Sequence, residues 1–351
     1  MQITTERIAL TKRHALTISR GTISGSENVF VTVAHDGFTG TGEMAPSDVT
    51  GDTAESAVAA LEEWSGPLGT LSPGDLQHVE QVLGPVPTQG SAMRAALDLA
   101  CHDWLGRRVG APLWKLWGLD RSRIAPTSLT VGLNPPEVVR EVTTEILTRT
   151  KARVLKIKLG SKDGLDADRG VLVAAQEAAH EVVGDGIIWR VDANGGWTLA
   201  QACEMLPWLA ERNVELIEQP LAQGDEDSLA SLFAHAPLPI FVDESIRFAA
   251  DIPALADRVH GVNFKLMKCG GLRHAMRIVH VARAHNLQVM IGCMGETSLA
   301  ISAGSQIAPL LDCIDLDSHL NLVDDPFVGA TFGSDGRVVP TAGAGLGAER
   351  R

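Results

Sequence analysis

Five times between residues 154 and 265 an apolar run ends on a charged side chain, and this spacing constrains the fold more than any other feature of the chain. Val154-Leu-Lys-Ile-Lys-Leu159 carries Lys156 and Lys158, Asp192 ends Ile187-Ile-Trp-Arg-Val191, and Glu218 ends Val214-Glu-Leu-Ile217. Asp243 ends Ile240-Phe-Val242, and Lys265 ends Val262-Asn-Phe264. From Lys158 onward the intervals are 34, 26, 25 and 22 residues. One strand, one helix and two loops consume about that much chain. In a parallel barrel of such units all strand C-termini face one mouth, where active sites sit. Three carboxylates then meet between lysines on either side: a metal site flanked by bases.

The length of 351 residues suits one barrel plus a smaller unit. With 45% hydrophobic residues and a mean hydropathy of +0.08, the chain can bury a sizeable core. A formal charge of −13 argues against nucleic acid and anionic membranes as partners. No apolar run approaches the roughly 20 residues of a membrane span. Met1-Gln-Ile-Thr-Thr-Glu6 lacks the basic-then-apolar pattern of a secretory leader. Cysteines 101, 203, 269, 293 and 313 are odd in number and form no CxxC, as expected of free thiols in a reducing cytoplasm. A cytoplasmic homo-oligomer is the expectation.

Alternation over 3–8, 15–19 and 28–34, with a turn at Asp36-Gly37, predicts a small antiparallel sheet. Helical spacing follows over 52–61 and 91–105. Sheet then helices describe an α+β domain, taken as residues 1–120. Strand and helix then alternate over 121–320. Strands are expected at 128–131, 154–159, 187–191, 214–217, 240–242, 262–264, 288–292 and 312–317. Helices are expected at 135–150, 165–183, 198–212, 226–235, 248–258, 271–286 and 297–309. The Gly- and Pro-rich tail 321–351 is expected to pack back on the first domain.

Side chains alternate along a strand, so Lys156 and Lys158 share one face, which in a barrel is the interior. Two like charges there need anions or a metal–carboxylate group to offset them. Taken alone, the pair reads as an edge strand in water, and each acid as a turn or cap residue; their shared position after apolar runs defeats those readings. Asp192, Glu218 and Asp243 are hard oxygen donors suited to Mg²⁺ or Mn²⁺. Glu244 points elsewhere and is expected to orient Lys265. Lys268, beyond the strand, reads as a solvated lysine or as one that supports the metal-site residues from behind.

These residues resemble the enolase superfamily, and within it the muconate-lactonizing-enzyme subgroup, over nearly the whole chain. The likeness includes Gly40-Thr-Gly-Glu-Met-Ala-Pro46, Ala95-Ala-Leu-Asp-Leu-Ala100, Gly110-Ala-Pro-Leu113 and Leu155-Lys-Ile-Lys-Leu-Gly160. It continues through Asp192-Ala-Asn-Gly-Gly-Trp197, Ile217-Glu-Gln-Pro220, Asp243-Glu-Ser245 and Asn263-Phe-Lys-Leu-Met-Lys-Cys-Gly-Gly271. The resemblance implies a modified (β/α)7β TIM barrel, an α/β barrel under an α+β capping domain, with one Mg²⁺ on Asp192, Glu218 and Asp243. Asp315-Leu-Asp317 resembles the mark of dipeptide epimerases, in which the two acids bind the substrate's α-ammonium group; the lesser alternative is a cap for the following helix. Glu296 matches a position bordering the pocket.

The implied reaction is Mg²⁺-dependent epimerisation of a dipeptide of the L-Ala-D/L-Glu kind, through an enolate. Lys158 and Lys265 would exchange the α-proton from opposite faces while Lys156 holds the enolate. Lys156 and the metal should depress the Lys158 pKa. Arg20 is readable as a partner for an acidic substrate side chain or as a surface charge. An N-acylamino-acid racemase or o-succinylbenzoate synthase shares the lysines and metal, but its substrates lack the ammonium that Asp315 and Asp317 suit. The same objection holds for a cycloisomerase, and two opposed bases have no use in a non-catalytic binding barrel.

Overall fold

The computed structural model describes residues 1–351. Three antiparallel strands open the chain: β1 (Gln2–Ile18), β2 (Gly21–His35) and β3 (Phe38–Met44). The runs expected at 3–8 and 15–19 are one strand whose register shifts between Thr11 and Leu16. Polar Thr11-Lys-Arg-His14 breaks the apolar alternation at that bulge, so one irregular strand reads as two. Helix α1 (Ala54–Leu68) starts at Thr53, whose side chain accepts from the Ser56 N–H. Next come α2 (Leu76–Leu83), which the sequence reading missed, and α3 (Ser91–Val109). Glycines let β3 rest directly on α3, since a Cβ at Gly42 would lie 2.0 Å from the Ala96 carbonyl oxygen.

After the short α4 (Leu113–Leu116) come eight parallel strands, each beside its chain neighbour. They are β4 (Ser128–Val131), β5 (Val154–Lys158), β6 (Ile188–Asp192) and β7 (Val214–Glu218), then β8 (Ile240–Val242), β9 (Gly261–Lys265), β10 (Gln288–Gly292) and β11 (Cys313–Ile314). The ring closes between β11 and β4 through a Thr127–Ile314 bridge, with Ser128 Oγ donating to the Ile314 carbonyl at 3.2 Å. The last strand is shorter than the expected 312–317. Beyond Ile314 the Leu316 N–H goes to a side chain, Thr127 Oγ1, at 2.8 Å rather than to a ladder.

Helices α5 (Pro136–Thr150), α6 (Leu165–Val183), α7 (Leu199–Ala210), α8 (Leu229–Phe233), α9 (Leu266–Cys269), α10 (Leu272–Ala284) and α11 (Ser298–Ile307) cover the barrel. Two differ from expectation. The helix expected at 226–235 is a 3-10 turn, Glu226–Ser228, followed by the short α8. That expected at 248–258 is only a 3-10 segment, Ala249–Ala254, with Pro253 inside it and no N–H to extend a helix. The apolar spacing there is real, because Ile252 and Leu255 are buried; the backbone donor is what fails.

Inside the barrel, Leu216, Phe241, Met290 and Cys313 form a small apolar layer of their own. Leu216, Phe241 and Cys313 each precede an inward acid (Glu218, Asp243, Asp315) by two residues, so this layer lies one step deeper than the charges. In the tail, β12 (Phe327–Val328) pairs with β15 (Glu349–Arg350), and β13 (Thr331–Phe332) with β14 (Val338–Val339). The Phe327 ring centroid lies 5.1 Å from that of Phe30 on β2, and Arg107 of α3 donates to the Ala348 carbonyl at 2.9 Å. No helix is long and apolar enough to cross a membrane.

Candidate active site

Strand register assembles the charged layer. Lys158 on β5 is paired with Asp192 on β6, and Asp192 with Glu218 on β7, so their side chains emerge side by side at the mouth. Asp243 follows β8 directly, and Lys265 ends β9. In the ring order β5 and β9 stand four strands apart out of eight, on opposite sides of the mouth. The three carboxylates lie on the strands between.

Each carboxylate is turned toward ammonium groups, and no three of them converge on one point. Lys158 Nζ lies 2.5 Å from Asp192 Oδ2. Lys156, one pleat deeper and buried, sits 2.7 Å from Asp315 Oδ2, 2.8 Å from Glu218 Oε2 and 3.2 Å from Asp192 Oδ2. Lys265 Nζ donates to Asp243 Oδ2 at 2.7 Å. Burial penalises Asp192 as an anion, but Lys158 and Lys156 outweigh that and hold its pKa well below the usual range. For Asp243 the lysines Lys265 and Lys268 do the same. Burial likewise disfavours charge on Lys265, yet Asp243 and Glu244 outweigh it and raise its pKa.

Glu218 is the exception. Burial, then Asp192, pushes its carboxyl up to about 7. Asn263 Nδ2 donates to Oε1 at 2.8 Å, but Oε2 is buried without a hydrogen bond, since Lys156 is close yet off the hydrogen-bond direction. A buried carboxylate oxygen of this kind is costly unless a positive charge meets it. Asp192, Glu218 and Asp243 offer the all-oxygen donor chemistry of a hard divalent cation on adjacent strands, with one Glu218 oxygen lacking a hydrogen bond; in this arrangement the three turn to lysines, from which they would swing to meet the metal.

The remaining candidates divide. Asp315 accepts from Ser128 Oγ at 2.6 Å as well as from Lys156. Asp317 is freer: Oδ2 takes the Thr130 N–H at 2.7 Å, while Oδ1 has only the Cys293 thiol at 3.6 Å. Both follow β11 instead of lying within a strand, so their placement comes from the barrel seam and not from simple alternation. Glu296, on the loop from β10 to α11, is buried, and burial pushes its carboxyl up to about 8. Arg20, at the β1–β2 turn, reaches the mouth from the cap.

One expectation is resolved and one corrected. Of the two readings of Lys268, the one behind a metal-ligand candidate holds and the solvated one does not: it is 2% exposed and donates to the Asp243 carboxylate, to the Asp243 carbonyl at 2.6 Å and to the Ile246 carbonyl at 3.2 Å. The chain turns at α9 immediately after β9, which swings a residue three positions on back toward the loop after β8. Glu244 does not bond Lys265; its Oε1 accepts from Arg20 at 2.9 Å and Asn194 Nδ2 at 3.2 Å. Sequence reasoning also missed Asn263, Ser128, Thr130 and Asn194, none of which carries a charge to mark it. It missed Asp168, buried on α6, which accepts the Gly160 and Ser161 N–H groups and the Trp197 indole N–H at 3.1, 2.9 and 2.7 Å. That acid ties the loop after Lys158 to the loop after Asp192.

Comparison with known proteins gives the same fold and a family. The mandelate racemase / muconate lactonizing enzyme N-terminal domain model matches residues 2–118, and the enolase C-terminal domain-like model matches 138–351. A hydrophobic dipeptide epimerase of Roseobacter litoralis is 47% identical over 99% of this chain and 98% of its own. An L-Ala-D/L-Glu epimerase of Bacteroides thetaiotaomicron is 35% identical over 94% of this chain and 83% of its own. Among solved structures, the Enterococcus faecalis dipeptide epimerase complexed with Mg and L-Leu-L-Tyr matches with a TM-score of 0.89 at 29% identity, over 99% of each chain.

Proposed function

The chain belongs to the mandelate racemase / muconate lactonizing enzyme family of the enolase superfamily, and from that membership we infer that it is a Mg²⁺-dependent dipeptide epimerase. The observation that carries the mechanism is the placement of Lys158 and Lys265 on strands four apart in a ring of eight. A substrate α-carbon held between them presents its proton to one lysine and its vacated face to the other. One lysine removes the proton, the other returns one, and the configuration inverts. Lys265, held as an ammonium by Asp243, is poised as the donor in the arrangement seen and must leave that carboxylate to act as base.

Asp192, Glu218 and Asp243 would hold the metal. Bound Mg²⁺ supplies positive charge beside the substrate carboxylate, where negative charge builds as the α-proton leaves. Lys156 adds a second fixed positive charge, kept protonated because Asp315, Glu218 and Asp192 outweigh its burial. Asp317 would bind the substrate ammonium with its free oxygen, and Asp315 supports that charge from below while remaining on Lys156. Glu296 lines the pocket.

Residues 1–120 with 321–351 form the cap and 121–320 the barrel in this reading, supported by the tail's contacts with Phe30 and Arg107. A cytoplasmic homo-oligomer completes the proposal. Five free cysteines support the reducing compartment, and light scattering checks the assembly. The primary test is a screen of L,L-dipeptides with Mg²⁺ in D₂O, scored by mass. One deuterium should enter at the α-carbon of the epimerised residue. Exchange confined to N-acylamino acids would favour a racemase instead.

A further inference from the structure

Arg20 invites a simple assignment as the receptor for an acidic substrate side chain, and its surroundings contradict it. The guanidinium is already paired, with Nη2 2.9 Å from Glu244 Oε1 and Nη1 3.4 Å from the Asn194 carbonyl. Ser19, its neighbour, donates to the same carbonyl at 3.2 Å. Asn194 in turn holds Asp192, giving its N–H to Oδ1 at 2.8 Å. Arg20 thus stands two residues removed from a proposed metal ligand, over the loops that follow β6 and β8 at the barrel mouth.

The pairing is asymmetric in burial. The Arg20 side chain is 46% exposed, whereas that of Glu244 is 10% exposed, with Oε2 buried and without a partner. Water can solvate Arg20 if the pair opens; it cannot do the same for Glu244, which would keep only Asn194 Nδ2. Drawing Arg20 onto a substrate carboxylate therefore leaves a buried carboxylate nearly unpaired. An acidic ligand gains one ion pair and forfeits another. The same hairpin tip presents Ile23, 45% exposed, an apolar side chain that costs nothing to cover.

We propose that Glu244 sets part of the charge selectivity of the site: by occupying Arg20 it makes the site discriminate against dipeptides whose epimerised residue has an acidic side chain. The proposal rests on the epimerase reading and names the substrate class of that same site. Glu244 acts as a specificity residue through Arg20, and a change in the ratio of two substrates is what separates this role from a merely structural one.

The test compares kcat/KM for L-Ala-L-Glu and L-Ala-L-Leu in the wild type, Arg20→Gln, Glu244→Gln and the double variant. The wild type should favour L-Ala-L-Leu by about tenfold or more, and Arg20→Gln should leave that ratio within about twofold. Glu244→Gln should shift the ratio toward L-Ala-L-Glu by about tenfold, and the double variant should reverse the shift. A wild type that prefers L-Ala-L-Glu and loses the preference in Arg20→Gln overturns the proposal. So does a Glu244→Gln ratio equal to that of the wild type. Arg20→Gln changes an exposed turn, so its ratio is readable even if Glu244→Gln fails to fold. Absence of exchange from every dipeptide in the wild type is a different result, which removes the epimerase reading itself.

Discussion

Among the proposed metal and ammonium ligands, Glu218 and Asp317 are the two that each keep an oxygen without a hydrogen bond from a nitrogen or oxygen donor. Glu218 has a buried oxygen with no hydrogen bond and a carboxyl pushed up to about 7, the state a bound cation would relieve. Glu218→Gln keeps the shape and the Asn263 contact but removes the charge. Titration with Mn²⁺ followed by electron paramagnetic resonance should show binding weakened by at least about tenfold, with the circular dichroism spectrum unchanged. Unaltered affinity would move the metal elsewhere. Asp317 keeps one carboxylate oxygen free of nitrogen and oxygen donors, so it is the better placed of the two terminal acids to meet an ammonium. Losing one partner of such a buried pair costs about 2–5 kcal/mol, so Asp317→Asn should lower kcat/KM for dipeptides by roughly 30-fold or more. Turnover of N-acetylated substrates that exceeds every dipeptide, and is unaffected by this substitution, would sink the ammonium contact.

At the scale of elements, the strand ends were legible because a charge terminating an apolar run is visible without any partner. Lys158, Asp192, Glu218, Asp243 and Lys265 all stand at or one residue past the ends of strands. Contacts between the cap and the barrel were not legible, since their partners are far apart in the chain. Glu43 on β3 shows this. It is fully buried and accepts from Thr297 N–H at 2.9 Å, Thr297 Oγ1 at 2.6 Å, Ala300 N–H at 3.1 Å and Asn28 Nδ2 at 2.7 Å. A cap carboxylate therefore satisfies the N-terminus of α11, some 254 residues away. From the sequence, Gly40-Thr-Gly-Glu43 reads as the stretch after the Asp36-Gly37 turn of the sheet and as part of the family likeness, neither of which gives Glu43 a role. Burial raises the Glu43 carboxyl from 4.5 to about 6 despite those donors. A pKa raised on folding gives stability that is present below pH 4.5 and lost as pH rises through 6. Relative to Glu43→Gln, the wild type should lose about 2 kcal/mol over that window, read from urea midpoints at a series of pH values. A difference independent of pH would mean that the carboxyl is not perturbed by docking.

For the whole molecule, the barrel does one thing the residues cannot do singly: it sets two lysines, Lys158 and Lys265, on opposite sides of the mouth. The ring order was predictable from spacing, because repeated units place strands two and six of eight across from each other whatever the loop details. Loop conformations were less so; the failed helix at 249–254 and the short β11 depend on one missing N–H and one side-chain acceptor. Neither disturbs the opposition of Lys158 and Lys265. The most direct test is α-proton exchange in D₂O measured separately from each substrate epimer in Lys158→Ala and Lys265→Ala. Each variant should retain exchange from one epimer and lose it from the other, with the two variants keeping opposite epimers. Loss of exchange from both epimers in both variants, with metal binding intact, would contradict a two-base mechanism.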